Sequence, residues 1–275
     1  MCTYGARERF SSDQAATSLQ ANGRTTNIEV NVMASQTIEG TFRQTNLPDE
    51  SSEYLVKREE LRRAEIDLMR QQERVAEMRR HLPHGPAVQD YEFQEGPRDL
   101  DAGDAPIRSV RLSQLFTAPD RAVIVYHMMF GKRQTSPCPM CTAWVDVFNG
   151  LAIHLEQKVD PVVVVAADPA TVRAHARSRG WNRVRLLSAG DSTFKYDLGS
   201  EDREGNQDST VSVFTLGNDG MPRHFYSAHP AMSPEIRERG IDLLNPIWNF
   251  LDLTPRGRED FVAKLQYPPR QVREG

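Results

Sequence analysis

A chain of 275 residues with 39% hydrophobic and 26% charged residues has the composition of a folded protein, long enough for one large domain or two small ones. Its formal net charge of −4 gives no general attraction to nucleic acid or to an anionic membrane, and no run approaches the roughly eighteen apolar residues of a membrane span. Three cysteines are too few for a disulfide-stapled secreted fold, and the N-terminus lacks a charged region followed by an apolar one, so the expected compartment is the cytoplasm.

Residues 1–48 are rich in Ser, Thr, Gln and Asn and show neither strand nor helix period; they read as a disordered polar tail carrying Cys2 as a free thiol. Residues 49–84 read as a long charged helical arm, without Gly or Pro from Ser51 to Leu82. Tyr54, Leu61, Leu68, Val75 and Leu82 recur every seven residues, with Ala64 and Met78 as a partial second position and Gln71 as an interruption. Such a seam needs a partner, either a second copy in a homodimer or the body of the domain. The arginines of the arm interleave with Glu53, Glu59, Glu60, Glu65, Glu73 and Glu77, the pattern of a solvated face and not of a nucleic-acid footprint.

From 85 to 275, short apolar runs alternate with helical patterns. Gln89–Phe93 and Arg108–Arg111 are candidate short strands, and Ala122–Met128 and Val162–Ala167 are near-continuously apolar, as central parallel strands are. Residues 138–157 form a helix between the last two, with Trp144, Phe148, Leu151 and Leu155 as its expected buried stripe. Asp168-Pro169 starts a second helix that Gly180 stops. Val184–Leu187 follows, then Val211–Leu216 and Pro222–Ser227 as a hairpin around Asp219-Gly220. Helices at 241–251 and 255–265 complete the chain. Strand, helix, strand, helix and then an antiparallel hairpin is the thioredoxin arrangement: an α/β three-layer fold with a central mixed sheet flanked by helices, here preceded by the helical arm.

Cys138-Pro139-Met140-Cys141 stands where the strand becomes the helix. Unpaired backbone N–H groups and the positive end of the helix dipole favour an anion there, so Cys138 is the expected attacking thiolate; Cys141, one turn on, is the expected resolving thiol. Pro139 fits the first helical turn. Two other readings compete: a zinc half-site with His154, which lacks a second histidine three to five residues further on, and two inert buried cysteines. No metal or other cofactor is expected. His127 alternates with Val123 and Val125 and is a candidate catalytic residue, to stabilise the thiolate or relay a proton, against the reading of a satisfied core histidine. Asp146 and Trp144, further along the helix, are candidates for substrate contact, with an exposed helix acid and a core aromatic as the plainer readings. Arg173, Arg177, Arg179, Arg183 and Arg185 form a basic stretch, by default a solvated face and otherwise a holder for an anion such as glutathione.

Several stretches together resemble the DUF899 proteins, a thioredoxin-like family named for its unknown role: Tyr126-His-Met-Met-Phe-Gly131, the two cysteines followed by Trp144 and Asp146, Gly180-Trp181, Phe194-Lys-Tyr-Asp197, Asp242-Leu-Leu-Asn245 and Leu251-Asp-Leu-Thr-Pro-Arg-Gly257. Met78-Arg-Arg-His-Leu-Pro83 and Tyr91-Glu-Phe93 fit the same family, and the resemblance spans roughly 50–265. It implies a thioredoxin-like fold and a thiol-dependent oxidoreductase served by an external thiol reductant; Tyr196 and Asp197 are carried by the resemblance alone. Thioredoxins place a cis-proline opposite the dithiol, where this sequence has Ser209-Thr210. Thr210, as a substrate-binding candidate, resembles the peroxiredoxin-like branch, which puts a small disulfide or a peroxide beside protein thiols as substrate.

Overall fold

The structure is a computed structural model and describes residues 47–83, 85–235 and 240–266. The expected polar tail, apart from its last two residues, lies outside the described residues, and Cys2 with it. The chain divides into two units, Met1–Arg62 and Arg63–Gly275. The division falls inside the first helix, α1 (Ser52–Arg80), which begins where the Ser51 hydroxyl accepts the Tyr54 N–H at 3.1 Å. In the first unit, Lys57–Glu60 (2.8 Å) and Arg62–Glu59 (2.7 Å) pair across single turns. No residue of α1 is buried, and Tyr54, Leu61 and Leu68 of the seven-residue seam are 55–58% exposed.

The second unit contains β1 (Glu92–Glu95), β2 (Arg108–Arg111), β3 (Ala122–His127), α2 (Pro139–Leu155), β4 (Val159–Val165), α3 (Pro169–Arg179), β5 (Arg185–Ser188), α4 (Phe194–Asp197), β6 (Thr210–Leu216), β7 (Pro222–Ala228) and α5 (Pro246–Asp252). They build one sheet in the order β2-β1-β5-β4-β3-β6-β7. Strands β3, β4 and β5 run parallel, joined by α2 and α3, while β6 pairs antiparallel with both β3 and β7. Within that sheet β4-β3-β6-β7, with α2 after β3, is the thioredoxin-like core.

Side-chain alternation along β3 sets two cores, because successive residues point to opposite faces. Tyr126 and Met128 pack with Cys141, Trp144, Val145, Phe148 and Ala152 of α2 and with Val172 and Ala176 of α3. Val123 and Val125 pack on the other face with Phe194 of α4, Phe93, Leu112, Leu115 and Phe214. The buried stripe of α2 is therefore Cys141, Val145, Phe148 and Ala152 with Trp144 beside it, and the expected Leu151 is 41% exposed. Helix α3 follows its sequence signals closely: the Asp168 side chain accepts the Thr171 N–H at 2.9 Å, Pro169 opens the first turn, and Gly180 closes the helix at φ 70°.

The C-terminal part departs from expectation. The helix expected over 241–251 divides into a 3-10 turn (Gly240–Leu244) and α5, because Pro246 starts a new helix capped by Asn245, whose side chain accepts the Ile247 N–H at 3.0 Å. No helix forms over 255–265, where Gly257 at φ 63° and Glu259 at φ 43° adopt the left-handed conformation that cannot propagate a right-handed helix.

Candidate active site

Cys138 is the N-cap residue of α2, with extended backbone (φ −62°, ψ 126°) and Pro139 in the first turn. Its Sγ accepts the Cys141 N–H at 3.5 Å, so the sulfur occupies the place of a capping oxygen, where the helix presents partial positive charge. The backbone N–H of Cys138 donates to the Met129 carbonyl at 3.2 Å, tying the helix start to the end of β3. Cys138 is partly exposed and Cys141 is buried; both are thiols.

The loop between strand and helix is held by backbone contact. Gly131 and Gln134 exchange hydrogen bonds of 2.7 and 3.0 Å, and the Phe130 carbonyl accepts from the N–H groups of Ala166 and Ala167, both at 2.9 Å. Gly131 sits at φ 108°, and a Cβ there would lie 2.0 Å from the Ala167 nitrogen. Only glycine fits this crossing of two backbones.

The Cys141 thiol is held well above the ordinary cysteine value, first by donating to Cys138, then by burial and by the charge that a Cys138 thiolate carries. The Tyr126 hydroxyl and the Met129 backbone N–H also reach the Cys141 sulfur and pull the other way. Tyr126 is fixed by stacking on Trp144, with centroids 4.0 Å apart and planes 3° from parallel. Cys141 is thus held as a thiol beside the Cys138 sulfur.

The other expected site residues fall in different places. His127 is fully buried on the sheet face away from α2, since its neighbours Tyr126 and Met128 take the α2 side. Its ring stacks on Phe194 at 4.9 Å, and Nδ1 lies 2.8 Å from the Ser200 hydroxyl. Burial, and then the nearby Lys195, hold it well below the usual histidine value, so it is a neutral imidazole and the expected direct support of the thiolate is not made. Thr210 pairs with His127 across the β3–β6 ladder and shares its face, with Oγ1 3.1 Å from His229 Nδ1. Both stand at the sheet end where α2 begins, but behind it. Trp144 is 7% exposed and belongs to the core. Asp146 accepts the Trp181 indole N–H at 2.8 Å and pairs with Arg179, joining α2 to α3.

The basic stretch is largely committed. Arg173 is 3% exposed and donates to the carbonyls of Pro97, Asp99, Leu100 and Gly103 and to Asp104, while Arg177 shares Asp104 and Arg185 pairs with Glu95 at 2.7 Å. Neither a solvated face nor an anion holder describes Arg173. Among the described residues no group of three or more His, Cys, Asp or Glu is arranged to hold a metal; His154, the partner in the zinc reading, is exposed near the far end of α2.

One residue of the site carries no periodic signal in the sequence. Lys195, from the single-turn helix α4, is 1% exposed, and its Nζ donates to the Met128 carbonyl at 3.2 Å. That carbonyl and the Met129 N–H aimed at Cys141 are the two ends of one peptide group.

The sequence pattern defining DUF899, a bacterial protein family of unknown function, matches residues 44–272. The chain belongs to the DUF899 family. The comparison with curated proteins returned no match. Among solved structures, this DUF899 protein is similar to Mycobacterium tuberculosis AhpC, at 17% identity and a TM-score of 0.40 over 62% of this chain and 98% of that one. The reduced 2-Cys peroxiredoxin of Plasmodium vivax is 12% identical, with a TM-score of 0.42 over 62% and 96%. The peroxidoxin BcpB of Mycobacterium tuberculosis is 18% identical, with a TM-score of 0.38 over 54% and 86%.

Other residues quoted for the DUF899 resemblance serve the architecture. Asp197 accepts from Tyr91 (2.9 Å) and Thr193 (2.6 Å), which fastens α4, and Tyr196 is 41% exposed and accepts from Arg203. Asn245 is the α5 cap. No helix among the described residues is long and apolar enough to cross a membrane.

Proposed function

We propose that this DUF899 protein is a thiol-dependent oxidoreductase, acting on a small disulfide or a peroxide, in which Cys138 attacks and Cys141 resolves. The observation that carries the reading is the placement of Cys138 Sγ as the N-cap of α2 with Cys141 directed at it. With a disulfide substrate, the Cys138 thiolate bonds to one sulfur and expels the other as a thiolate. Cys141 then loses its proton, attacks the Cys138 sulfur and expels the second substrate thiol, leaving a 138–141 disulfide. With a peroxide, Cys138 takes the terminal oxygen, an alcohol or water leaves, and Cys141 converts the resulting sulfenic acid to the same disulfide with loss of water. Either way two electrons pass from the dithiol to the substrate, and an external thiol reductant returns them.

Peroxide and oxidised glutathione, each assayed with excess dithiothreitol, test the turnover. Cys138→Ser is expected to abolish it, and Cys141→Ser to stall as a mixed disulfide or sulfenic acid on Cys138, visible by mass spectrometry. Iodoacetamide is expected to modify Cys138 with a midpoint below the ordinary thiol value of about 8.5, and to spare buried Cys141 until the chain unfolds. An ordinary midpoint at Cys138, together with no reversible 138–141 disulfide, would sink the reading.

The exposed seam of α1 supports a second reading, a thioredoxin-like scaffold that dimerises through the arm without turnover. A Leu61→Glu, Leu68→Glu double variant is then expected to lower the sedimenting mass, and Cys138→Ser to leave the cellular role intact.

A further inference from the structure

A lysine taken wholly out of water is costly unless an anion or several acceptors compensate it. Lys195 is buried at 1% exposure on the sheet face opposite α2, and among the described residues no carboxylate lies within ion-pair distance of it. Its Nζ has the Met128 carbonyl, 3.2 Å away, as its hydrogen-bond acceptor. The peptide bond is planar, so the oxygen that takes the ammonium and the N–H that serves Cys141 point to opposite sides of one rigid unit. An ammonium on the oxygen polarises that unit and strengthens its N–H as a donor to sulfur.

We propose that Lys195 is a positioning residue for the dithiol: its buried ammonium, acting through the Met128–Met129 peptide, supplies the counter-charge of the reduced pair and makes the 138–141 couple more oxidising. The inference rests on the dithiol reading above. Oxidation of the pair, one thiolate and one thiol, releases two electrons to the disulfide or peroxide substrate and one proton to solvent. The negative charge of the pair then disappears, so the charged lysine favours the reduced state. The buried ammonium is pushed down to about 8 by desolvation, against the opposing pull of Cys141, Glu201 and Asp208, with Lys132 adding to the lowering. His127, neutral behind it on β3, is itself faced by His224 and by His229, which lies beyond Thr210.

The test equilibrates the full-length protein, Lys195→Met and Lys195→Gln against dithiothreitol redox buffers from pH 5.5 to 9.5 and reads the 138–141 disulfide by mass spectrometry. Near pH 7 both variants are expected to shift the equilibrium about tenfold towards the disulfide, about 30 mV for this two-electron couple. The difference is expected to shrink at acid pH, where the dithiol is uncharged, and at alkaline pH, where the lysine is. Folded variants whose equilibrium follows the unsubstituted protein at every pH overturn the inference alone, as does Lys195→Gln matching it, since glutamine keeps a donor without the charge. No 138–141 disulfide in the unsubstituted protein overturns the dithiol reading and this inference together. A titration of the lysine side-chain NMR signals in the unsubstituted protein needs no variant: Lys195 is expected to titrate lower when the dithiol is oxidised, and an unchanged titration overturns the proposal.

Discussion

Lys195 also has a consequence for stability. Its folded value of about 8 lies below the value of 10.5 from which burial lowers it, so between these the unfolded chain holds a proton that the folded chain has released. Stability therefore rises as pH climbs through that window, and below it the buried charge costs the fold about 3 kcal/mol. Removing Lys195 also removes the Met128 hydrogen bond, worth about 1 kcal/mol. Lys195→Met is thus expected to be more stable than the unsubstituted protein by roughly 2 kcal/mol at pH 7 and to lose that advantage by pH 10.5; urea unfolding at the two pH values measures both. Equal stability at pH 7 would show that the charge is fully compensated in place. A residue kept at such a cost fits a site in which stability is given up for chemistry.

At the scale of elements, the ends of helices and the crossings of backbones carry the architecture around the dithiol. Asp168→Ala removes a cap from α3 and is expected to cost about 1 kcal/mol, read as a shift in the denaturation midpoint without a change in slope. Gly131→Ala meets two obstacles at once, a positive φ and the backbone of Ala166 and Ala167. Its expected cost exceeds about 3 kcal/mol, and because it displaces the loop leading to Cys138, it is expected to alter Cys138 alkylation in whatever fraction folds. These elements were legible in the sequence to different degrees. Asp168-Pro169 and Gly180 mark α3 because caps are local chemistry. That no helix forms over 255–265 was not legible, because nothing in the composition of that stretch announces that Gly257 and Glu259 take left-handed conformations.

Across the molecule, Arg173 shows how far tertiary context can overrule a sequence pattern. Four carbonyls and one carboxylate of the segment 97–104 converge on its guanidinium, joining that segment to α3. Arg173→Leu leaves these acceptors unserved and is expected to cost about 3–5 kcal/mol and to open the segment to limited proteolysis; unchanged cleavage there would show that the segment is held by other contacts. The sheet order follows the same logic: β1 and β2, early in the chain, extend the sheet beside β5 and add Phe93 and Val110 to the core on the face that α2 does not cover.

What the sequence by itself determined is the strands and the two long helices of the sheet region, and the place of Cys138 and Cys141 at a strand-to-helix junction, because hydrophobic period, caps and a C-x-x-C spacing are local. The tertiary structure alone decided which face each side chain takes. It sets His127 and Thr210 behind the sheet, commits Asp146, Arg173, Arg177, Arg179 and Arg185 to ion pairs, and brings Lys195, fifty-four residues beyond Cys141, to the peptide that serves its sulfur. Burial and contact between distant residues arise only when the sheet assembles, and they fix the charge states on which the proposed chemistry depends.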